Sequence, residues 1–122
     1  MERVFVFLGA LTGLAAVAMS AASAHMLASR LDPAALAAVR SAVQMQGWHA
    51  LALLFCAVWA PRGGLMVQIA GWCFFVGIVL FSGGIYAHAL AELRMPAIAP
   101  AGGTVMMLGW LFVALSALTR RR

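Results

Sequence analysis

Within otherwise apolar sequence, Gln46 and His49 stand three residues apart, a spacing that puts both side chains on one face of a helix. An imidazole and a carboxamide there could pass a proton or line a route for a small solute, because polar groups in a bilayer are costly and point to function by default. The same two residue types are common hydrogen-bonding groups between membrane helices. The structural reading is preferred, with Gln46 and His49 bonded to each other or to a hydroxyl such as Ser20, Ser82 or Tyr86. His25 and His88 fall near the ends of apolar runs at a shared depth, as two axial haem ligands or two metal ligands must. Two histidines with no carboxylate inside the apolar runs make an incomplete set, so no metal and no cofactor is expected. Arg40, Gln44 and Trp48 recur at steps of four on another face and read as an interfacial stripe at headgroup depth. Cys56 and Cys73 lie inside apolar runs without a CxxC or Cys/His spacing, and there a thiol is a small hydrophobe.

The elements that must carry these residues follow from composition. Of 122 residues, 66% are hydrophobic and only 9% charged, whereas soluble domains carry about 25% charged residues. The mean hydropathy is +1.03. A soluble fold has nowhere to put that surface, and the relevant unit becomes a membrane span of about 20 apolar residues. The formal charge of +5 comes from arginines set singly near the ends of apolar runs, at positions 3, 30, 40, 62 and 94, and from a terminal run at 120–122. No extended basic face exists, so nucleic acid is not an expected partner.

The pattern predicts an all-α membrane protein, a bundle of four transmembrane helices with short loops, in a single domain over residues 1–122. The first helix is expected over about 4–27. Its Ala22-Ser23-Ala24 resembles a signal-peptide cleavage site, but the apolar stretch is long for a signal and a retained helix is expected. Asp32-Pro33 supplies a capping carboxylate and a first-position proline, starting a second helix over about 33–60. Pro61-Arg62-Gly63-Gly64 reads as a tight turn, followed by a third helix over about 65–90. A loop containing Pro96, Pro100, Gly102 and Gly103 then leads to a fourth helix over about 104–119, capped by Thr104. An even number of spans leaves Arg3, Arg62 and the terminal run on one side against Arg30, Arg40 and Arg94. That bias puts both termini in the cytoplasm.

On the first helix Gly9, Gly13, Ala16, Ser20 and Ala24 recur at steps of three and four, a small-residue face on which another helix can approach closely. The third helix carries Gly77, Phe81, Gly84 and His88 on one side and Ser82 and Tyr86 on the other, so both of its sides are expected to face protein.

Four segments in order resemble one family: Ser20 to His25, Gln46-Gly47-Trp48-His49 with the apolar run to Leu54, Leu80 to Tyr86, and Pro100-Ala101-Gly102-Gly103 followed by Gly109-Trp110. Together they are similar to the family called domain of unknown function 423, which covers bacterial inner-membrane proteins and the animal transmembrane protein 256. The resemblance implies that His25, Gln46, His49, Phe81, Ser82, Gly83, Tyr86, Pro100, Gly102, Gly103, Gly109 and Trp110 match the family pattern. Met45 and Ala99 depart from it, and His88 stands where the family has an apolar residue, which weakens a His25–His88 ligand pair. The resemblance also implies a four-helix protein of the bacterial inner membrane, and it implies no chemistry.

With no soluble catalytic mass, no enzymatic activity is expected. The first reading is a non-enzymatic protein whose partners are the lipid bilayer and either further copies of itself or other membrane-protein subunits. The alternative is a small-molecule or proton pathway centred on His49 and Gln46, although no expected span is interrupted by a mid-helix proline as transporter sites often are. A further alternative is an electron-transfer subunit binding haem or a metal.

Overall fold

The computed structural model describes residues 1–118, so the expected helix end at Thr119 and the arginine run at 120–122 lie outside the described residues. Three helices are found, with no strand among the described residues: α1, Glu2–Ala24; α2, Pro33–Ala91; and α3, Ile98–Leu118. A single 3-10 turn, Leu27–Ser29, stands between α1 and α2. All three helices are long and apolar enough to cross a membrane.

The expected bundle of four separate helices is therefore corrected to three. The stretches expected over 33–60 and 65–90 form one element, because the break between them is confined to Gly64, at φ 63° and ψ −141°, and helical geometry resumes at the next residue. Pro61 sits inside α2 without ending it. A straight helix of 59 residues would reach about 90 Å at 1.5 Å per residue, three times a hydrocarbon core of about 30 Å. It does not run straight. Ser82 bonds Ala42, whereas His49, further along the first limb, meets Phe74, further back on the second. The two limbs, 33–63 and 65–91, thus lie side by side and antiparallel.

The start of α2 is as the sequence implies, with Asp32 Oδ1 accepting from the Ala35 N–H at 2.7 Å and Pro33 in the first turn. Its end is set by Glu92 in the left-handed region at φ 57°. The other boundaries differ. α1 ends at Ala24 rather than near residue 27, and α3 begins at Ile98 rather than near Thr104. Pro100, Gly102 and Gly103 are consequently in the opening turns of α3 and not in a loop, and the Thr104 hydroxyl donates back to Pro100 O instead of capping. Proline is tolerated there because the first N–H groups of a helix have no partner within it.

α1 and α3 each pack on α2 and scarcely on one another. The largest buried cluster brings Phe5 of α1, Leu53 and Cys56 of the first limb, Val67, Phe74 and Ile78 of the second, and Met106 of α3 together towards the Gly64 end. Close approach comes from glycine. A Cβ on Gly102 would meet the backbone of Phe81 and lie 2.9 Å from Gly77 O, and one on Gly9 would lie 3.0 Å from Ala50 O. Large apolar side chains such as Leu14, Val17, Leu51, Val58 and Met107 are exposed on the outside, as a lipid-facing surface requires.

Candidate functional site

The polar groups inside the bundle form two bridges. Gln46, on the first limb and 4% exposed, is the centre of one. Its Nε2 donates to Thr12 O of α1 at 2.8 Å, and its Oε1 accepts from the Tyr86 hydroxyl of the second limb at 2.7 Å. The assignment is forced, since a carbonyl only accepts and must face the amide nitrogen. Side chains tilt towards the N-terminus of their own helix, and in antiparallel limbs this tilts Gln46 and Tyr86 towards each other. One carboxamide thereby ties α1 to both limbs of α2.

His49, one turn further and 2% exposed, is the centre of the other. Trp110 Nε1 of α3 is 2.9 Å from His49 Nε2, and His49 Nδ1 is 2.7 Å from Met45 O. An indole N–H only donates and a carbonyl only accepts, so His49 is the neutral ring with its proton on Nδ1, donating to Met45 and accepting from Trp110. Phe74 and Trp110 close around it, with ring centroids 5.5 and 5.7 Å from the imidazole and 4.9 Å from each other. Ser82 Oγ donates to Ala42 O at 2.9 Å, and nearer the Gly64 end Trp59 Nε1 donates to Ser116 Oγ at 3.0 Å. Among the described residues no buried side-chain nitrogen or oxygen lacks a hydrogen-bond partner.

The residues singled out from sequence are thus distributed as follows. Gln46, His49, Ser82 and Tyr86 are brought into the interior, Tyr86 as the partner of Gln46, while Ser82 and His49 take other partners than those expected. Gly9 and Ala16 are buried on α1 and Gly13 faces Ala50, but Ser20 and Ala24 are exposed and Ser23 takes their place on the packed side. Rotation does not account for this, since at about 100° per residue Ser20 lies only about 20° from Gly9; Ser20 and Ala24 instead border an open cleft with Ala37, Arg40 and Ser41 of the first limb. Gly77 and Gly84 meet α3 at Met106 and Ile98, with Ser82 and Tyr86 turned to the first limb, so the second limb is packed on both sides. Gly102 is buried and Gly103 half-buried, and Pro100 is exposed. His25 and His88 are both exposed and no hydrogen bond joins them. His88 lines a cleft with Arg94 from which His25 is absent. No group of three or more His, Cys, Asp or Glu residues lies together among the described residues.

Sequence reasoning does not reach two contacts, Trp59 on Ser116 and the Phe5 ring against Gly71, where any Cβ would collide with it. Trp59 carried a signal, since an indole N–H within an apolar run needs an acceptor. Phe5 carried none, being one apolar residue among many.

These features define a small integral membrane protein, all-α, whose intramembrane polar groups bond one helix to another. The family model described as "Protein of unknown function (DUF423)" matches residues 19–103, and the chain belongs to that family. It is 37% identical over 117 residues to a UPF0382 membrane protein of Staphylococcus epidermidis, covering 95% of this chain and 96% of the relative. It is 36% identical over 118 residues to the UPF0382 membrane protein YwdK of Bacillus subtilis, covering 94% and 96%. A UPF0382 membrane protein of Haemophilus influenzae is 33% identical over 115 residues, covering 93% of each chain. No solved structure matches.

Proposed function

We propose that this chain is a non-enzymatic packing protein of the bacterial inner membrane, which crosses the bilayer four times and acts by associating with other membrane proteins, as a homo-oligomer or as an accessory subunit. The observation that carries the reading is the full use of the intramembrane polar groups. Both nitrogens of His49 and both ends of the Gln46 carboxamide are engaged: His49 bonds Met45 O within its own limb and Trp110 of α3, and Gln46 bonds Thr12 O of α1 and Tyr86 of the second limb. A ring held between a donor and an acceptor is not free to take up a proton on one side and release it on the other, which leaves a pathway centred on His49 without support. Four crossings follow from length, since each limb of α2 reaches about 40 Å or more at 1.5 Å per residue against a hydrocarbon core of about 30 Å. The arginine bias favours both termini in the cytoplasm. Relatives from Bacillus, Staphylococcus and Haemophilus fit a bacterial cytoplasmic membrane.

Blue-native electrophoresis of the full chain, extracted at native expression in a mild detergent, tests the association. A band above the monomer, or a membrane protein recovered with it, is expected. Migration only as a monomer with nothing co-purifying overturns it.

A further inference from the structure

At the end of the bundle away from Gly64, where α2 begins and ends and α3 begins, a cleft of about 560 Å³ opens between the helices. Its walls are almost wholly apolar, with Ala35 on the first limb, Gly84 and Ile85 on the second, and Pro96 before α3. Two groups break that character, the Arg94 guanidinium and the His88 imidazole. Neither makes a hydrogen bond or ion pair with any described residue. Glu92, the nearest acidic residue in sequence, is not among the residues of the cleft wall.

We propose that this cleft is a binding site for one anionic phospholipid, its phosphate on Arg94 and His88 and the start of an acyl chain against Ala35, Gly84 and Ile85. The ligand class follows from three properties of the cleft. Its position, at the ends of membrane-spanning helices, is headgroup depth. Its two polar groups are donors to an anion, and arginine matches phosphate with a planar fork of N–H groups. Its remaining wall is hydrocarbon, which suits an acyl chain and not a water-soluble phosphate compound. Gly84 contributes by having no side chain where the second limb borders the cleft, and the Cβ it lacks would lie 3.1 Å from the Ile98 side chain.

Native mass spectrometry of the full chain released from nanodiscs tests the site, using dioleoylphosphatidylglycerol as the anionic probe and dioleoylphosphatidylcholine as the zwitterionic one. One phosphatidylglycerol is expected to be retained in preference to phosphatidylcholine. Arg94→Gln should weaken that retention about fivefold, the equivalent of about 1 kcal/mol per arginine at an anionic membrane surface. Ala89 also lines the cleft, and Ala89→Phe, which fills it without changing charge, should weaken both lipids. Arg62→Gln removes a charge at the Gly64 end and should change nothing. The proposal is overturned if neither lipid is preferred, if Arg94→Gln and Ala89→Phe both retain phosphatidylglycerol as the wild type does, or if Arg62→Gln weakens it equally. Competition by inorganic phosphate alone at equimolar concentration also overturns it, since the acyl chain would then contribute nothing.

Discussion

Trp110 donates its indole N–H to His49 Nε2 at 2.9 Å, joining α3 to the first limb of α2 across 61 residues of sequence. Trp110 is itself 48% exposed, so one edge of the ring faces outward while its N–H reaches into the bundle. Phe74 packs against both rings, and it and His49 are almost wholly buried. A bond in that setting has no water to replace it, yet interhelical bonds in membrane proteins are worth only about 0.6 kcal/mol on average and up to about 1.7.

Removing either partner should therefore cost little beyond the bond. Trp110→Phe, which keeps the ring, and His49→Leu, which keeps most of the volume, are each expected to lower thermal stability in detergent modestly. His49→Ala should be worse, because a cavity is added to the lost bond. A double-mutant cycle on Trp110→Phe and His49→Leu should return a coupling of about 0.6–1.7 kcal/mol. Zero coupling, read from the thermal denaturation of all four proteins, would refute the bond. His49→Leu that leaves stability intact but abolishes partner association would refute the structural role.

Gln46 serves two helices and Tyr86 only one bond, so their substitutions should differ in rank. Tyr86→Phe leaves Gln46 still donating to Thr12 O, whereas Gln46→Leu removes both bonds at once. The second variant is expected to lose about twice the stability of the first. Hydrogen–deuterium exchange gives a finer readout, with faster exchange along α1 in Gln46→Leu and not in Tyr86→Phe.

The glycines divide into those that a methyl group would disturb and those that it would not. Gly102→Ala forces a carbon against the Phe81 backbone, which cannot move aside as a flexible side chain can, so α3 should be displaced and stability fall by about 1–3 kcal/mol, as with overpacked cores. Gly47 and Gly83 have nothing within 4 Å of an added Cβ. Gly47→Ala and Gly83→Ala should be neutral or gain up to about 1 kcal/mol from helix propensity. A melt in which all three behave alike would contradict the packing of α3 on α2.

Much of this was legible beforehand for a definite reason, and the remainder was hidden for another. Spans, the Asp32-Pro33 start and the inward turn of Gln46 and His49 follow from rules about single residues: apolar length, capping, and the cost of polar groups in lipid. Partners do not. In a bilayer the lipid-facing and protein-facing sides of a helix are equally apolar, so periodicity does not distinguish them, and the small-residue series on α1 continues in sequence past Ala16 to Ser20 and Ala24, which are exposed. The opening turns of α3 are not legible because Pro100, Gly102 and Gly103 are loop formers by composition. Here the first turn needs no N–H from the proline and the close approach to Gly77 needs the glycine. Met45 O as the acceptor for His49 was beyond sequence reasoning, since a backbone carbonyl carries no signal in residue type.

Four crossings predict that Arg62 and Arg94 lie on opposite sides of the membrane. In a Cys56→Ala, Cys73→Ala background, Arg62→Cys should react with an impermeant maleimide only after the inner face is exposed, as Arg3→Cys should. Arg94→Cys should react from the opposite side in intact spheroplasts. Labelling of 62 and 94 from the same side would overturn the four-crossing proposal.

The turn that creates the two limbs rests on one residue. Gly64 takes φ 63° and ψ −141°, a region that residues with a Cβ adopt only under strain of about 1–3 kcal/mol. Gly64→Ala should therefore lose about that much stability. Gly63 is also buried at the turn but is limited by space and not by φ, since an added Cβ would collide with the Val67 side chain and lie 2.8 Å from Trp59 Cδ1. Relieving those contacts displaces Val67 and also the indole whose N–H donates to Ser116. Gly63→Ala should consequently loosen the α3 end near Ser116, seen as faster exchange of the 113–118 amides, while Gly64→Ala should loosen the turn alone. If Gly64→Ala is as stable as the wild type, the reversal of α2 does not depend on left-handed backbone at this residue, and the antiparallel limbs need another explanation.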